Sequence, residues 1–382
     1  MKKKGNILAI DTGSTTTKVG YFSDGIMLFE DKLIHTAEEI SKFSSIPEQE
    51  ILRRDAVNDF LKRKGINLED IDIVMARGGL ISPVTSGVYE VNQDMKEVLI
   101  SCKYGVHACN LCALIADDIV EEVKEARAMK NISSPFGECK AYIADAPLTD
   151  EMLPECKVGG LPEFPRKPRF HALNSKAIVR AFLRKHNIVE NKLTIIVAHM
   201  GGGITTSLHK NGKVIDTNDG LGGEGPFSPE RAGTCPAFPL VEMCFSGKYT
   251  EAEIKKKLIG RGGAVAFFGT SDLKELMDRA SRGDERCAVF MNAFSLNISK
   301  YIASMAATAE GKVDAILLTG GIANDKEICD EIIKRVKFIA PVEVYPGEKE
   351  LESLAENGYF VLDGTAVIHH YDKDRIIPDE IL

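Results

Sequence analysis

Asn6–Gly20 reads NILAIDTGSTTTKVG. A short apolar run, Ile7–Ile10, ends at Asp11; Gly13 and a row of small hydroxyl residues follow, then Lys18 and a second apolar stretch, Val19–Phe22. Length and period predict strand, tight turn, strand. Gly13 lets backbone come close to a ligand, and the turn's N–H groups with the Ser14–Thr17 hydroxyls suit phosphate oxygens. Asp11, at the strand end, suits a magnesium ion, directly or through water. An ordinary hairpin with threonines chosen for strand propensity reads the same way, so the stretch alone fits either.

A second copy breaks the tie. Leu193–Asp216 reads LTIIVAHMGGGITTSLHKNGKVID. Sliding the first copy onto it sets Asp11 on His199, Gly13 on Gly201 and Thr17 on Thr205. Each copy runs through a polar tip (Ser23-Asp24-Gly25; Lys210-Asn211-Gly212) into another apolar run. The period is about half the chain, which means a duplicated domain and not a solenoid. Two halves that each open with a phosphate-type hairpin imply a cleft holding phosphates from both sides.

The 382 residues suffice for two domains with full cores, and 44% apolar with 27% charged residues is the balance of a soluble globular protein. A net charge of −8 argues against a nucleic-acid surface. No apolar run approaches the roughly 20 residues of a membrane span. Nine scattered cysteines, an odd number, read as reduced thiols in a cytoplasmic protein.

The rest of the chain supplies candidate groups. Ile46–Lys64 is expected to be a helix with Ile51, Leu52, Val57, Phe60 and Leu61 on or near one face. Ile71–Ala76 reads as a buried strand ending in Arg77-Gly78-Gly79, where open α/β sheets bind ligands. Val106–Ala126 reads as a long helix. It opens with His107, either a helix-start residue satisfied by backbone or an active-site donor. Cys109 and Cys112 form a CxxC pair, but no second pair completes a metal site, so they read as buried thiols. Asp145 ends the strand AYIADAP, and His171 precedes a helix near Ser175–His186. Phe290–Ala309 is a strongly amphipathic helix. Val313–Thr319 is a strand feeding Gly320-Gly321-Ile322-Ala323-Asn324, and Val342–Tyr345 is the last strand. Tyr371–Leu382 is charged and expected at the periphery.

Taken together, DTGSTTTK, ARGGL, HACNLCALIA, RFHALN, VAHMGGGI, EGPFSPER, CFSGKYT, LLTGGIA and YPGE resemble the acetate, propionate and butyrate kinase family, within the actin and sugar-kinase ATPase superfamily. The resemblance runs from about Ile7 to Leu362. It implies an α/β fold of two duplicated actin-like (ribonuclease H-like) domains, each a mixed five-stranded sheet flanked by helices. The first, 1–185, would be the acid-binding side, closed by a helix from the C-terminus; the second, 186–382, would be the nucleotide side. It implies ATP/ADP and Mg2+ as cofactors, a short-chain fatty acid phosphorylated reversibly to an acyl phosphate, and a homo-oligomer.

Residue by residue, the resemblance gives Arg77 and Arg231 the carboxylate and the transferring phosphoryl group. His171 would stabilise the transition state, and Asp145 would orient the acid's arginine or a metal-bound water. Arg77 and His107 would meet the acid. Gly13, Ser14, Thr15 and Lys18 form the first phosphate hairpin; His199, Gly201, Gly202 and Gly203 would cradle the nucleotide phosphates. Asp272, Lys274, Gly320, Gly321, Ile322 and Asn324 fall where the family binds adenosine, and Asp11 and Glu350 where it holds magnesium. One departure stands out: Asp11 occupies a position where the acid kinases usually carry asparagine and sugar kinases aspartate. Alternatives from the same motifs are a kinase for a sugar, an ATP-driven switch, or an activator with Cys109 and Cys112 on an iron–sulfur cluster.

Overall fold

The computed structural model describes residues 4–190 and 192–375, which fall into two compact units, one over residues 4–149 and 349–375 and one within 150–348. In chain order the strands are β1 (Asn6–Thr12), β2 (Thr16–Ser23), β3 (Ile26–Ile34), β4 (Ile73–Arg77), β5 (Val88–Glu90) and β6 (Lys140–Ala144). They continue as β7 (Thr194–Met200), β8 (Ile204–Lys210), β9 (Lys213–Thr217), β10 (Ala315–Gly320), β11 (Val342–Pro346) and β12 (Ile368–His369). The first unit's sheet has the order β12-β5-β6-β4-β1-β2-β3, the second's β11-β10-β7-β8-β9.

The duplication is visible strand for strand. In the first unit β1, β2 and β3 form an antiparallel meander, with β4 parallel to β1 and β6 parallel to β4. In the second, β7, β8 and β9 meander and β10 and β11 follow in parallel. Even the irregularities repeat: the register shifts between Tyr21 and Phe22 in β2 and between Leu208 and His209 in β8. Both tips carry two positive-φ residues, Asp24 (53°) and Gly25 (89°), then Asn211 (52°) and Gly212 (81°). That is the requirement of a two-residue hairpin turn matched to strand twist.

The five-stranded expectation covers the whole second sheet but only the shared core of the first. β5 and β12, of 3 and 2 residues, extend that sheet beyond β6 and are too short to leave a period in sequence. The sliding of the two copies also needs correction. Thr12 pairs with Thr17, and Met200 with Ile204, so the second turn is one residue shorter. Lys18 stands opposite Asp11, and Thr205 opposite His199. Lys18, not Thr17, is therefore the counterpart of Thr205.

Core strands β1 and β7 are buried almost end to end, as strands covered on both faces are. In the helix Glu285–Thr308, Phe290, Phe294, Ile298, Ile302 and Met305 are all buried, matching the amphipathic pattern. The helix Glu50–Lys64 buries a different set from the one expected. Ile51 is 61% exposed, while Arg53, Val57, Phe60 and Leu61 are buried at helical spacing. The unit boundary falls after residue 149 and not at 185. The helix Ala172–Lys185 belongs with the second unit because Ile178, Val179 and Phe182 pack on Ile195, Val197 and Leu317. The helix Glu350–Leu362 belongs to the first, where Gly358 lies against Ile7, Ile73 and Met75. Tyr371 is buried and not peripheral: Ser82 donates to its hydroxyl and the Asn92 amide to its carbonyl. Residues 376–382 of that stretch lie outside the described residues.

Candidate active site

In the first unit the ends of β1, β2 and β4 bring Asp11, Lys18 and Arg77 together, and the helix Glu350–Leu362 adds its first residue. Arg77 Nη1 lies 3.1 Å from Asp11 Oδ1 and 3.1 Å from Glu350 Oε1, while Lys18 Nζ lies 2.8 Å from Glu350 Oε2. The two carboxyl groups lie side by side on that guanidinium, each acting on the other's proton affinity. Burial pushes Asp11 up to about 7, with Arg77 opposing and Glu350 adding to the rise. Burial works against Glu350's charge too, but Arg77, the Asp11 hydrogen bond and Lys18 outweigh it and hold its pKa down. The cluster is two acids and two bases, and one guanidinium nitrogen of Arg77 bonds to both acids. Ser14 and Thr15 sit exposed at the turn, and Gly13 N–H closes it by donating to Thr16 O at 2.8 Å.

Asp145 follows β6, the strand beside β4, at a φ of 42°, a left-handed conformation that non-glycine residues seldom adopt. Its Oδ1 takes the Gly87 N–H at 3.1 Å. His107 precedes the helix Asn110–Lys130, and its Nδ1 accepts the Cys109 N–H at 3.2 Å. Cys109 and Cys112 are buried and pushed up to about 12 by that burial. Cys112 Sγ meets the Thr12 hydroxyl at 2.9 Å, so both thiols act as packing groups.

In the second unit the same three strand ends carry His199, Thr205 and Thr319. His171, the cap residue of the helix Ala172–Lys185, stacks on His199 with ring centroids 3.7 Å apart and planes 8° apart. His171 Nδ1 is 2.9 Å from the Thr205 hydroxyl. Asn174 Nδ2 lies 2.8 Å from His199 Nδ1 and 3.4 Å from the Thr319 hydroxyl. An amide NH2 can only donate, so His199 Nδ1 accepts and its proton sits on Nε2. That atom makes no hydrogen bond among the described residues and lies 3.4 Å from Glu348 Oε1. The paired glutamates thus divide: Glu350 joins Asp11, and Glu348 joins His199.

The turn Gly201–Gly203 follows His199. Ser228 Oγ donates to Gly202 O at 2.5 Å, and Arg231 packs its guanidinium directly on Gly203, where any Cβ would collide with it. Arg231 Nη1 donates to Gly220 O. No carboxylate pairs with Arg231 among the described residues, and its burial lowers its pKa. A half-buried cation without a partner anion suits a bound one. Beyond this, a cavity of about 420 Å³ is lined by Pro229, Asp272, Lys274, Gly321, Ile322 and Asn324, among others. It joins two segments some 50 residues apart that the resemblance assigned to adenosine. Asp272's carboxylate caps the helix Leu273–Ser281, accepting from Lys274 N and Glu275 N. Gly320 has a φ of 91° and no room for a side chain against the Met200 backbone.

Sequence reasoning gave no site role to Asn174, Thr205, Thr319 or Ser228. The first three became legible only with the register of the second sheet. RFHALN did contain Asn174, three residues after His171, the spacing that puts both at one helix start.

The fold is shared with solved kinases. Acetate kinase of Porphyromonas gingivalis superposes with a TM-score of 0.74 at 19% identity, covering 94% of this chain and 99% of that one. A propionate kinase from Francisella tularensis gives 0.69 at 17% identity, covering 92% and 98%. Residues 166–368 match the Acetokinase family. The chain is 43% identical to a probable butyrate kinase of Clostridium botulinum over 94% of its own length and 97% of that protein's. It is 42% identical to butyrate kinase 1 of Clostridium acetobutylicum, over 96% and 99%. The chain belongs to the acetokinase family.

Proposed function

We propose that the protein transfers the terminal phosphoryl group of ATP reversibly to a short-chain fatty acid, butyrate or a branched analogue, giving an acyl phosphate and ADP. The observation that carries this reading is Arg231, held on Gly203 without a carboxylate partner among the described residues, in a chain some 43% identical to a butyrate kinase. A fatty acid is ionised at pH 7, so the attacking oxygen needs no general base. Catalysis then reduces to positioning and charge neutralisation. In this reading Arg77 and His107 meet the acid, and Asp145 fixes the loop beside β4. Ser14, Thr15 and Lys18 in one unit, and His199 and Gly201–Gly203 in the other, take phosphate oxygens. Arg231 and His171 face the transferring group, and the cavity at Lys274 and Asn324 takes adenosine.

Asp11 and Glu350 fit a magnesium ion. They are two hard, buried carboxylates within hydrogen-bond reach, and Mg2+ commonly takes one or two protein carboxylates and completes its shell with phosphates and water. When bound it neutralises phosphate charge; Arg77 and Lys18 hold the pair in place.

A homo-oligomer is part of the same reading. The helix Ala237–Phe245 buries none of its residues and presents Phe238 (84% exposed), Val241 and Phe245 (86% exposed). An exposed apolar face of this kind supports that reading, and light scattering should return a mass above one chain. No helix among the described residues is long and apolar enough to cross a membrane. All nine cysteines are free thiols, in keeping with a cytoplasmic setting.

A hydroxamate assay across carboxylic acids and sugars tests the function. Acyl phosphate from four-carbon acids is expected; phosphorylation of a sugar with no acyl phosphate overturns it.

A further inference from the structure

Arg53 sits on the inward face of the helix Glu50–Lys64 and is itself fully buried. Its Nη1 donates to Gly13 O at 2.9 Å and Thr16 O at 3.0 Å; its Nη2 donates to Ser14 O at 2.8 Å and Gln49 Oε1 at 3.1 Å. The remaining carbonyl of the turn, Thr15 O, takes the His35 N–H at 2.8 Å. Every carbonyl from residue 13 to 16 is thus engaged from the protein side. Among the described residues nothing accepts from the N–H of Ser14 or Thr15, at the exposed tip.

All of Arg53's acceptors are neutral. No carboxylate pairs with it among the described residues, and its Nε makes no hydrogen bond. The titratable groups beside it carry no negative charge at neutral pH. Burial pushes the Cys112 thiol up to about 12, and burial with Arg53's own charge pushes His35 down. An unpaired ion held in the interior costs several kcal/mol. In the second unit the matching turn is held differently: Gly202 O accepts from the neutral Ser228 hydroxyl, and the cation beside the turn, Arg231, packs on Gly203.

We propose that Arg53 is a positioning residue for a phosphoryl group. From behind, it fixes the Gly13–Thr16 turn with its carbonyls inward, so that the Ser14 and Thr15 N–H groups stand ready for phosphate oxygens. Its uncompensated charge strengthens the turn's hold on that anion. The inference rests on the phosphate-binding reading of this turn given above.

The test uses the full chain with Arg53→Met and Arg53→Lys, each checked for folding by circular dichroism. The readouts are kcat and KM for ATP, together with the rise in melting temperature given by ATP, ADP and inorganic phosphate. A contact made equally before and during transfer alters KM and leaves kcat. Losing a charge-assisted contact is worth about tenfold or more in affinity, so Arg53→Met should raise KM by that factor. Its kcat should stay within about threefold, and the phosphate-induced rise should vanish. Arg53→Lys keeps the charge and should recover part of the rise. A folded Arg53→Met with KM below about five times the wild-type value, or a full thermal response to phosphate, overturns the proposal. So does a lysine variant as insensitive to phosphate as the methionine one. If Arg53→Met does not fold, the lysine variant decides: it should show a partial phosphate-induced rise, and a rise equal to the wild type's, or none at all, overturns the proposal. A wild-type protein that ATP stabilises but that forms no acyl phosphate would sink the proposed function, leaving the thermal arm to judge Arg53.

Discussion

At the ends of β1, β2 and β4 the first unit carries Asp11, Lys18 and Arg77; at the ends of β7, β8 and β10 the second carries His199, Thr205 and Thr319. The positions correspond, down to a shared bulge and a shared hairpin tip, yet the chemistry does not. In the first unit four charged groups bond to one another. In the second, stacked imidazoles, two threonines and an amide make a hydrogen-bonded network, and the cation Arg231 comes from a loop outside the repeat. Duplication has preserved the backbone that presents the groups and has left the groups themselves free to specialise. One arginine is held by acids and shares in stability; the other is held by a carbonyl and is available for an anion.

That contrast predicts opposite consequences for the two arginines. Arg231→Ala should lower turnover by about 10³ or more, by analogy with arginines that meet a transferring phosphoryl group. Stability should change little, since no acid loses its partner; near-normal turnover would break the contrast. Arg77→Ala should also destabilise the fold, because Asp11 and Glu350 are buried and would keep only Lys18. Breaking a buried pair costs about 3–5 kcal/mol. Arg77's side chain is 22% exposed, so about 2 kcal/mol is expected in denaturant unfolding. Equal stability losses in the two variants would erase the distinction.

Much of this was legible in the sequence. The repeat is written in NILAIDTGSTTTKVG and LTIIVAHMGGGITT because strand period and glycine turns are local signals. The error of one residue between Thr17 and Lys18 arose because turn length fixes register, and the two turns differ by one. Ile51 was placed inside and Arg53 left out because hydropathy assigns a charge to solvent. Yet Arg53 stands four and seven residues before Val57 and Phe60, the spacing of one helix face. Asp272 both lines the cavity and caps the helix Leu273–Ser281, and only the cap has a local signature, an aspartate just before a helix. Unpaired donors, a missing counter-ion or two stacked histidines from separate elements have no one-dimensional signature.

The comparison sharpens at the bulge. His209 follows the shift in β8 where Phe22 follows it in β2. It is buried, with Nε2 2.6 Å from the Ser175 hydroxyl and 3.1 Å from that of Ser207. Burial, then the charge of Lys176, pushes its pKa well down. Above about pH 6.5 it is neutral in both folded and unfolded chains and contributes no pH dependence. Below that, the unfolded chain binds a proton that the folded chain refuses. Stability of the second unit should then fall by about 1.4 kcal/mol per pH unit until the folded value is reached. Unfolding curves between pH 7 and 5 should show a shallower slope for His209→Asn than for the parent; identical slopes would remove His209 as the source.

The smallest effect expected is at Asp11, the departure from the family's usual asparagine. Asp11→Asn keeps an oxygen for Arg77 and gains an amide donor for Glu350, so the cluster's bonds survive. What is lost is one carboxylate toward a divalent cation. An amide oxygen is a weaker ligand for Mg2+, so half-saturating magnesium should rise by about three- to tenfold. Turnover at saturating magnesium should stay within about threefold of the parent, because this charge is not among those assigned to the transferring group. A magnesium titration of acyl phosphate formation separates the two quantities. A collapse of turnover comparable to that of Arg231→Ala would move the chemistry to the charged strand ends of the first unit. The stacked pair of His171 and His199 would then be scaffolding.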